Sequence, residues 1–103
     1  MEKAPRNLDV QKLANVADVL KTIAHPVRLE ILEILEVAEP KSVGELQQGL
    51  KTAVEQSMLS HHLIKMRDHG ILTSHKEGKH MYYALKDRSI LKIFDCMEQC
   101  DFL

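Results

Sequence analysis

The sequence contains no tryptophan, two tyrosines, two phenylalanines and only two cysteines among its 103 residues. No apolar run approaches the roughly 20 residues that a membrane-spanning helix needs. The N-terminal segment MEKAPRNLDV also lacks the apolar core of a signal peptide. We therefore expect a cytoplasmic protein without a membrane partner, in a compartment where thiols stay mostly reduced.

Signatures of catalysis are missing as well. There is no glycine-rich phosphate loop, and no Cys/His or Ser/His/Asp set that the expected fold would bring together, so an enzyme is not expected. Hydrophobic residues make up 45% of the chain and charged residues 28%, which excludes a disordered protein. The length predicts one domain over residues 1–103, whose small core would benefit from a partner subunit.

The formal net charge is −1, but the charges are unevenly distributed. Residues 51–86 carry six basic and three acidic side chains, whereas the segments on either side are net acidic. The same block holds five of the six histidines. Phosphate binding requires a local basic region and does not require a positive net charge on the whole chain. This block is therefore a candidate nucleic-acid surface.

The first half of the chain predicts two helices separated by the sequence AHPVR. Pro26 interrupts a continuing helix but suits the first turn of a new one. Glu30, Glu33 and Glu36 are expected to face water on the second helix. Apolar residues recur at helical spacing in both segments, at Leu13, Val16, Ala17, Leu20 and Ala24 and then at Val27, Ile31, Ile34 and Leu35.

Two capping-box patterns follow closely on one another. Ser42 and Glu45 predict the start of a short third helix that ends near Leu50. Thr52 and Glu55 predict the start of a fourth, which runs to about His69 before Gly70. Two helices joined by so short a turn indicate a helix-turn-helix over residues 42–69.

After Gly70 the apolar period changes to that of strands. The runs ILTSHK and HMYYAL flank EGK, so a hairpin with Gly78 in its turn is expected over residues 71–85. Asp87 can cap a last helix over residues 87–101, with Ile90, Ile93, Phe94 and Met97 on its apolar face. The fold class predicted is mainly α with a small β-hairpin, in the order of a winged helix-turn-helix.

The fourth helix has one apolar and one polar side. Leu63 and Met66 fall within about 40° of Leu59 at 100° per residue, which predicts the buried side. The opposite side, here called the outer face, suits phosphates and base edges, with one apolar residue for a thymine methyl. Lys76, Lys79 and His80 surround the hairpin tip and would reach phosphates. An ordinary solvated surface remains the alternative. The outer face comprises Ser57, Ser60, His61 and Ile64, with Gln56 nearer its edge.

Four segments, IAHPVRLEIL, SVGELQQGL, EQSMLSHHLIKMRDHGIL and HKEGKHMYYAL, together resemble the ArsR/SmtB family of bacterial repressors. The resemblance implies a homodimer held by its first and last helices on a near-palindromic operator in double-stranded DNA. It places DNA contacts at Gln56, Ser57, Ser60 and His61, with Lys79 and its neighbours in the wing. For His62, a structural role beside Leu59 is an equal alternative. The turn before Gln56 is about two residues longer than the family pattern, and we expect Thr52 to cap the fourth helix.

The inducer sites familiar in this family are missing from the expected positions. The first helix of the helix-turn-helix and the second helix contain no cysteine, and no histidine follows His80. Cys96 and Cys100 remain, four residues apart near the end of the chain. Some family members bind trivalent arsenic through C-terminal cysteines, and thiolates suit such thiophilic ions. The alternative is that both are small buried hydrophobic residues.

The leading hypothesis is therefore a repressor released from DNA by a thiophilic metal ion or a thiol-reactive inducer, with no cofactor required. A second hypothesis is a winged-helix transcription factor that senses no small molecule and whose cysteines are structural. A third is a winged-helix module that contacts protein and not DNA.

Overall fold

The computed structural model describes residues 3–103, and its helices and strands follow the order expected from the sequence with one added strand. A short 3₁₀ helix, Arg88–Leu91, precedes the last α-helix. In chain order the elements are α1 (Val10–Ile23), α2 (Pro26–Val37), β1 (Lys41–Ser42), α3 (Val43–Gly49), α4 (Gln56–Asp68), β2 (Leu72–Glu77), β3 (His80–Leu85) and α5 (Lys92–Gln99).

The junction between α1 and α2 forms as the sequence predicts. Pro26 occupies the first turn of α2, where its missing N–H costs no hydrogen bond. His25 caps the helix, since its Nδ1 atom accepts a hydrogen bond from the backbone N of Val27 at 3.2 Å. The buried side of α2 comprises Val27, Ile31, Leu32 and Leu35.

Of the two predicted capping boxes, only the first forms. The Ser42 Oγ atom accepts from the backbone N of Glu45 at 3.2 Å, and Glu45 Oε1 accepts from the backbone N of Ser42 at 2.9 Å. The prediction that Thr52 caps α4 is wrong. Glu55 stands at the N-cap and makes no side-chain capping hydrogen bond. The Thr52 hydroxyl lies beside α2, where it donates to Glu30.

The hairpin is the predicted wing, with a third strand beside it. Strands β2 and β3 pair antiparallel from Leu72 opposite Leu85 to Glu77 opposite His80. Gly78 lies in the turn with a φ of +60°, a left-handed value that glycine adopts without steric cost. The two-residue strand β1 pairs with β3 on its other side, so the sheet order is β1-β3-β2. The sequence did not predict β1.

The C-terminal helix is shorter than predicted. Asp87 caps as expected, since its side chain accepts from the backbone N of Ser89 at 2.9 Å. The residues it caps form the 3₁₀ helix, and the α-helix proper ends at Gln99. Cys100 lies past that end, with φ −84° and ψ 117°. The predicted extension of the helix to residue 101 is therefore wrong.

The core lies between α2, α3, α4 and the sheet, and α1 contributes little to it. Thr22 and Ile23 at its C-terminal end are the buried residues of α1. Leu13, Val16 and Leu20 on its apolar side are each 47–49% exposed. Within residues 3–103, no helix is long and apolar enough to cross a membrane. The largest fully buried side chains are Ile23, Ile31, Leu32, Leu35, Leu46, Leu59, Leu63, Met66 and Leu72.

Candidate nucleic-acid interface

The outer face of α4 is available to a ligand in the single chain. Gln56, Ser57 and His61 are exposed, and Ser60 is partly exposed. The Ile64 side chain, 40% exposed, adds an apolar contact to this polar surface. Short hydroxyl, amide and imidazole groups beside one aliphatic residue can contact phosphates, base edges and a thymine methyl. Four of the predicted contact residues thus share one side of one helix, and Gln56 lies nearer the edge of that side.

The opposite side of α4 packs into the core as predicted, through Leu59, Leu63 and Met66. His62 is buried with them, at 5% exposure. Its Nδ1 atom accepts a hydrogen bond from Arg28 Nε at 3.0 Å, and its ring centroid lies 4.4 Å from that of His25. Burial lowers the pKa of His62, and electrostatic interaction with its neighbours His25, Arg28 and His61 lowers it further. His62 is a structural histidine in this fold.

The long connection between α3 and α4 is attached to α2. Glu30 Oε1 accepts from the backbone N of Lys51 at 2.8 Å, and Glu30 Oε2 accepts from the Thr52 hydroxyl at 2.5 Å. The Thr52 hydroxyl and then the Lys51 N–H lower the pKa of Glu30. Gln47 Nε2 donates to the carbonyl oxygen of Val54 at 2.9 Å. Glu30 therefore does not simply face water, as the sequence predicted, and the longer turn has a defined conformation before Gln56.

The wing places two exposed lysines at the end of the hairpin. Lys76 lies near the end of β2 and Lys79 follows Gly78 in the turn. His75 and Tyr82 stack across the two strands with ring centroids 5.6 Å apart, which gives the hairpin a cross-strand pair of the kind that stabilises two strands. His80 is also exposed. The wing therefore carries cationic side chains on a supported turn.

The two thiols lie close together at the end of α5. The Sγ atoms of Cys96 and Cys100 are 4.0 Å apart; Cys96 is exposed and Cys100 is partly exposed. Partial burial raises the pKa of the Cys100 thiol, and its contact with Cys96 raises it further. The i, i+4 geometry of an intact helix strains a disulfide. Because Cys100 lies outside the helix, the cysteine pair is not held in that geometry.

Metal ligands do not gather elsewhere in the described chain. Residues 3–103 contain no group of three or more His, Cys, Asp or Glu side chains arranged to hold a metal ion. His75 and Glu77 approach each other at 3.8 Å on the wing, without a third ligand. In a single chain, the cysteine pair could supply two sulfur ligands to a thiophilic ion and no more.

A second surface with a distinct character lies between α1 and the C-terminal elements. A groove of about 560 Å³ opens there, and its walls are mostly apolar. It continues the exposed apolar side of α1, so the two together form one uncovered hydrophobic surface. A patch of this kind is typical of a protein interface. The apolar residues that line the groove are Val16, Val19, Leu20, Ile71, Ile90 and Ile93.

Comparison with known proteins agrees with the geometry. A family model described as a helix-turn-helix domain matches residues 23–75. The biofilm growth-associated repressor of Xylella fastidiosa is 36% identical over 90 residues, which cover 86% of this chain and 76% of that protein. HlyU from Vibrio cholerae superposes with a TM-score of 0.76 at 29% identity, covering 86% of this chain and 97% of that one.

A solution structure from Mycobacterium bovis shares the fold at lower sequence similarity. It is described as a homodimeric winged helix-turn-helix DNA-binding domain. It superposes with a TM-score of 0.71 at 22% identity, covering 95% of this chain and 87% of that one. Both the helix-turn-helix and the wing therefore have counterparts in proteins of this architecture.

Proposed function

Because this chain belongs to the ArsR/SmtB family of winged helix-turn-helix transcriptional regulators, we propose that it is a homodimeric repressor which binds a near-palindromic operator. We further propose that a thiophilic ion or a thiol-reactive inducer acts at Cys96 and Cys100 to release it. The family named from the sequence motifs is confirmed, and the chain is a DNA-binding transcriptional regulator. The operator, the individual contacts and the inducer are the proposal.

The outer face of α4 is the observation that carries the DNA-binding proposal. Its polar residues are exposed on the side opposite Leu59, Leu63 and Met66, so α4 can enter a major groove without disturbing the core. Gln56, Ser57, Ser60 and His61 make the polar contacts, and Ile64 contacts a thymine methyl. Lys76 and Lys79 reach phosphates beside the groove, where their charge adds salt-dependent affinity.

The uncovered surface of α1 supports the homodimer. Leu13, Val16 and Leu20 are about half exposed, although their spacing gives α1 one continuous apolar side. The adjoining groove extends that surface to Ile90 and Ile93 of the C-terminal elements. A second copy that covers both would be related to the first by a twofold axis, and two half-sites related by the same axis follow from that symmetry.

The position of the cysteines supports the sensing proposal. They lie at the end of α5, which follows the 3₁₀ helix that begins at Arg88. Arg88 in turn bonds to Glu39, whose carboxylate accepts from the backbone N of Leu85 at the base of the wing. A change at the thiols can therefore reach both the proposed dimer surface and the wing. Four thiols in a dimer would satisfy an ion that prefers three sulfur ligands.

Operator binding is tested by selecting duplexes from a random pool with the full-length protein and measuring affinity by fluorescence anisotropy. Ser60→Ala and His61→Ala should each weaken binding to the selected duplex about tenfold, since each removes one contact. The matched control is Thr73→Ala, at an exposed position outside the outer face. Size-exclusion chromatography should find every variant dimeric. If no duplex binds above a random competitor at moderate salt, DNA binding is refuted.

Sensing is tested on the same protein–DNA complex with arsenite, cadmium, zinc and a persulfide donor. The wild type should release the duplex with at least one of these, and Cys96→Ser and Cys100→Ser should not. Because the chain has only these two cysteines, the double serine variant contains no thiol and is the negative control. A wild type that keeps its affinity with all four reagents refutes sensing and favours a transcription factor whose cysteines are structural.

A further inference from the structure

Arg28 connects three helices through one guanidinium group. Its Nη1 atom donates to the carbonyl oxygen of Thr22, in the last turn of α1, at 2.8 Å. Its Nε atom donates to Nδ1 of His62, on α4, at 3.0 Å. Arg28 itself lies in the first turns of α2. One side chain therefore relates the proposed dimer helix, α2 and the DNA-contacting helix to one another.

His62 takes part in this contact in its neutral form. The Nδ1 atom accepts a hydrogen bond, so its lone pair is in use and the ring proton is assigned to Nε2. The charged or titratable groups that face the ring are Arg28 and His25 from α2 and His61 from α4 itself. Within residues 3–103, His62 has no carboxylate partner to stabilise a positive charge.

Adding a proton to Nδ1 would remove the acceptor that Arg28 uses. It would also place an imidazolium beside the guanidinium in a buried position, which is unfavourable without a compensating anion. Burial accordingly lowers the pKa of His62 below its ordinary value of 6.5. His62 binds the proton more readily in a form of the protein that has lost the contact with Arg28. Lowering the pH below about 6.5 therefore favours loss of the contact, and the contact is retained above that pH.

We propose that Arg28 and neutral His62 are positioning residues, which hold α4 at a fixed orientation to α1 so that both half-sites can be contacted at once. Protonation of His62 releases this contact and lowers operator affinity. The inference rests on the proposed DNA-binding function. His62 directly follows Ser60 and His61 in the chain, so a rotation of α4 at this point moves the outer face itself.

Two substitutions distinguish the effect of the hydrogen-bond geometry at Arg28 and His62 from the effect of their charge. In His62→Asn the amide Oδ1 atom can accept from Arg28 Nε where the imidazole Nδ1 did, but the side chain cannot be protonated near neutral pH. In Arg28→Lys the positive charge remains, but one ammonium group cannot span Thr22 and His62 as the planar guanidinium does. Arg67→Lys is the matched control, because Arg67 contacts Asp68 and Ser74 and neither α1 nor α2.

The experiment measures affinity for the duplex selected by the wild type, at about pH 7.5 and about pH 5.8 and constant ionic strength. Acid also acts on the rest of the protein–DNA complex, so the informative quantity is the ratio of the variant's affinity to that of the wild type at each pH. His62→Asn should bind within about threefold of the wild type at the higher pH. At the lower pH the wild type should be weaker than His62→Asn by about tenfold.

Arg28→Lys should bind about tenfold more weakly than the wild type at the higher pH, and Arg67→Lys should match the wild type. The inference is overturned if the wild type and His62→Asn share one pH profile, or if Arg28→Lys binds normally. Urea unfolding at both pH values is measured in parallel. An affinity loss that merely follows loss of folded protein would also overturn the positioning role.

The contact itself can be examined without DNA by ¹⁵N NMR of the histidine rings in the full chain. Neutral His62 should carry its proton on Nε2, and its pKa should lie below the ordinary histidine value of about 6.5. A proton on Nδ1, or an ordinary titration, would overturn the inference whatever the DNA result. If the wild type binds no duplex at the higher pH, the proposed function fails, and NMR still decides whether the contact exists.

Discussion

Arg88 donates a hydrogen bond to the carboxylate of Glu39, and this ion pair joins three parts of the fold. Glu39 follows α2, and its other oxygen accepts from the backbone N of Leu85 at the end of β3 at 2.9 Å. A second nitrogen of Arg88 donates to the carbonyl oxygen of Glu36 at 3.0 Å. The C-terminal end of α2, the base of the wing and the start of the C-terminal helices therefore meet at one pair of side chains.

Removal of Arg88 should destabilise this junction. Charge-assisted hydrogen bonds contribute more than neutral ones, but the Arg88 side chain is 55% exposed, so solvent screening reduces the gain. We expect Arg88→Ala to lower the free energy of unfolding by about 1 kcal/mol, measured by urea denaturation. Arg6→Ala, at an exposed position before α1, is the control. Equal stability of the two variants would mean that the pair contributes nothing measurable.

Glu30 should make the α3–α4 connection sensitive to acid. The pKa of Glu30 is lowered in the folded chain, chiefly by the Thr52 hydroxyl. Its contribution to stability is therefore present above the ordinary pKa of 4.5 and is lost as the pH falls through the pKa of the folded state. Glu30→Gln should be less stable than the wild type at neutral pH, and the difference should shrink in acid. Amide exchange at Lys51 and Thr52 should be about tenfold faster in Glu30→Gln than in the wild type.

Glu33→Gln is the matched control for that experiment. Glu33 lies on the same helix, is exposed, and accepts no bond from the α3–α4 connection. Its substitution should leave amide exchange at Lys51 and Thr52 unchanged. If the two variants behave alike, the hydrogen bonds of Glu30 do not determine the conformation of this turn.

Lys79 should contribute affinity without sequence preference. It is exposed in the turn of the wing, where a phosphate contact releases counterions. Lys79→Gln should weaken binding to all duplexes alike. It should also reduce the slope of log affinity against log salt by about one for each protomer bound. Lys92→Gln, at the start of α5, should leave the slope unchanged. A change in sequence preference would instead assign Lys79 to base contact.

Ile64 should discriminate thymine by its methyl group. Replacing single thymines of the selected operator by deoxyuridine removes that methyl and leaves the base pairing intact. At one thymine per half-site, the deoxyuridine replacement should lower the affinity of the wild type about threefold. The same replacement should not lower the affinity of Ile64→Ala. Anisotropy titrations of both proteins on both duplexes form a double-mutant cycle. If the effects of deoxyuridine and of Ile64→Ala are additive at every thymine, Ile64 does not contact a thymine methyl.

Local signals in the sequence predicted most of the elements but not the long-range contacts that orient them. Ser42 and Thr52 stand in the same capping pattern, yet only Ser42 caps its helix. Thr52 bonds to Glu30, which is 22 positions away in the chain, and a short pattern carries no information about such a partner. The contact between Arg28 and His62 spans 34 positions and was missed for the same reason.

In the candidate site, too, local sequence signals predicted some features and not others. Helical periodicity was sufficient to place Leu59 and Ile64 on opposite sides of α4, because that depends on one helix alone. The strand β1 has only two residues, too few for any period to be seen. The position of Cys100 depends on where α5 ends, and one residue at a helix terminus is the least predictable feature of such an element.

The apolar side of α1 also links regulation to the amount of protein made. If folding of α1 is completed only against a second copy, thermal stability should rise with protein concentration, since dissociation exposes about half of each of Leu13, Val16 and Leu20. Occupancy of an operator by dimers then depends on roughly the square of the monomer concentration when dimers are scarce. A modest fall in synthesis would relieve repression more sharply than the same fall in a monomeric regulator.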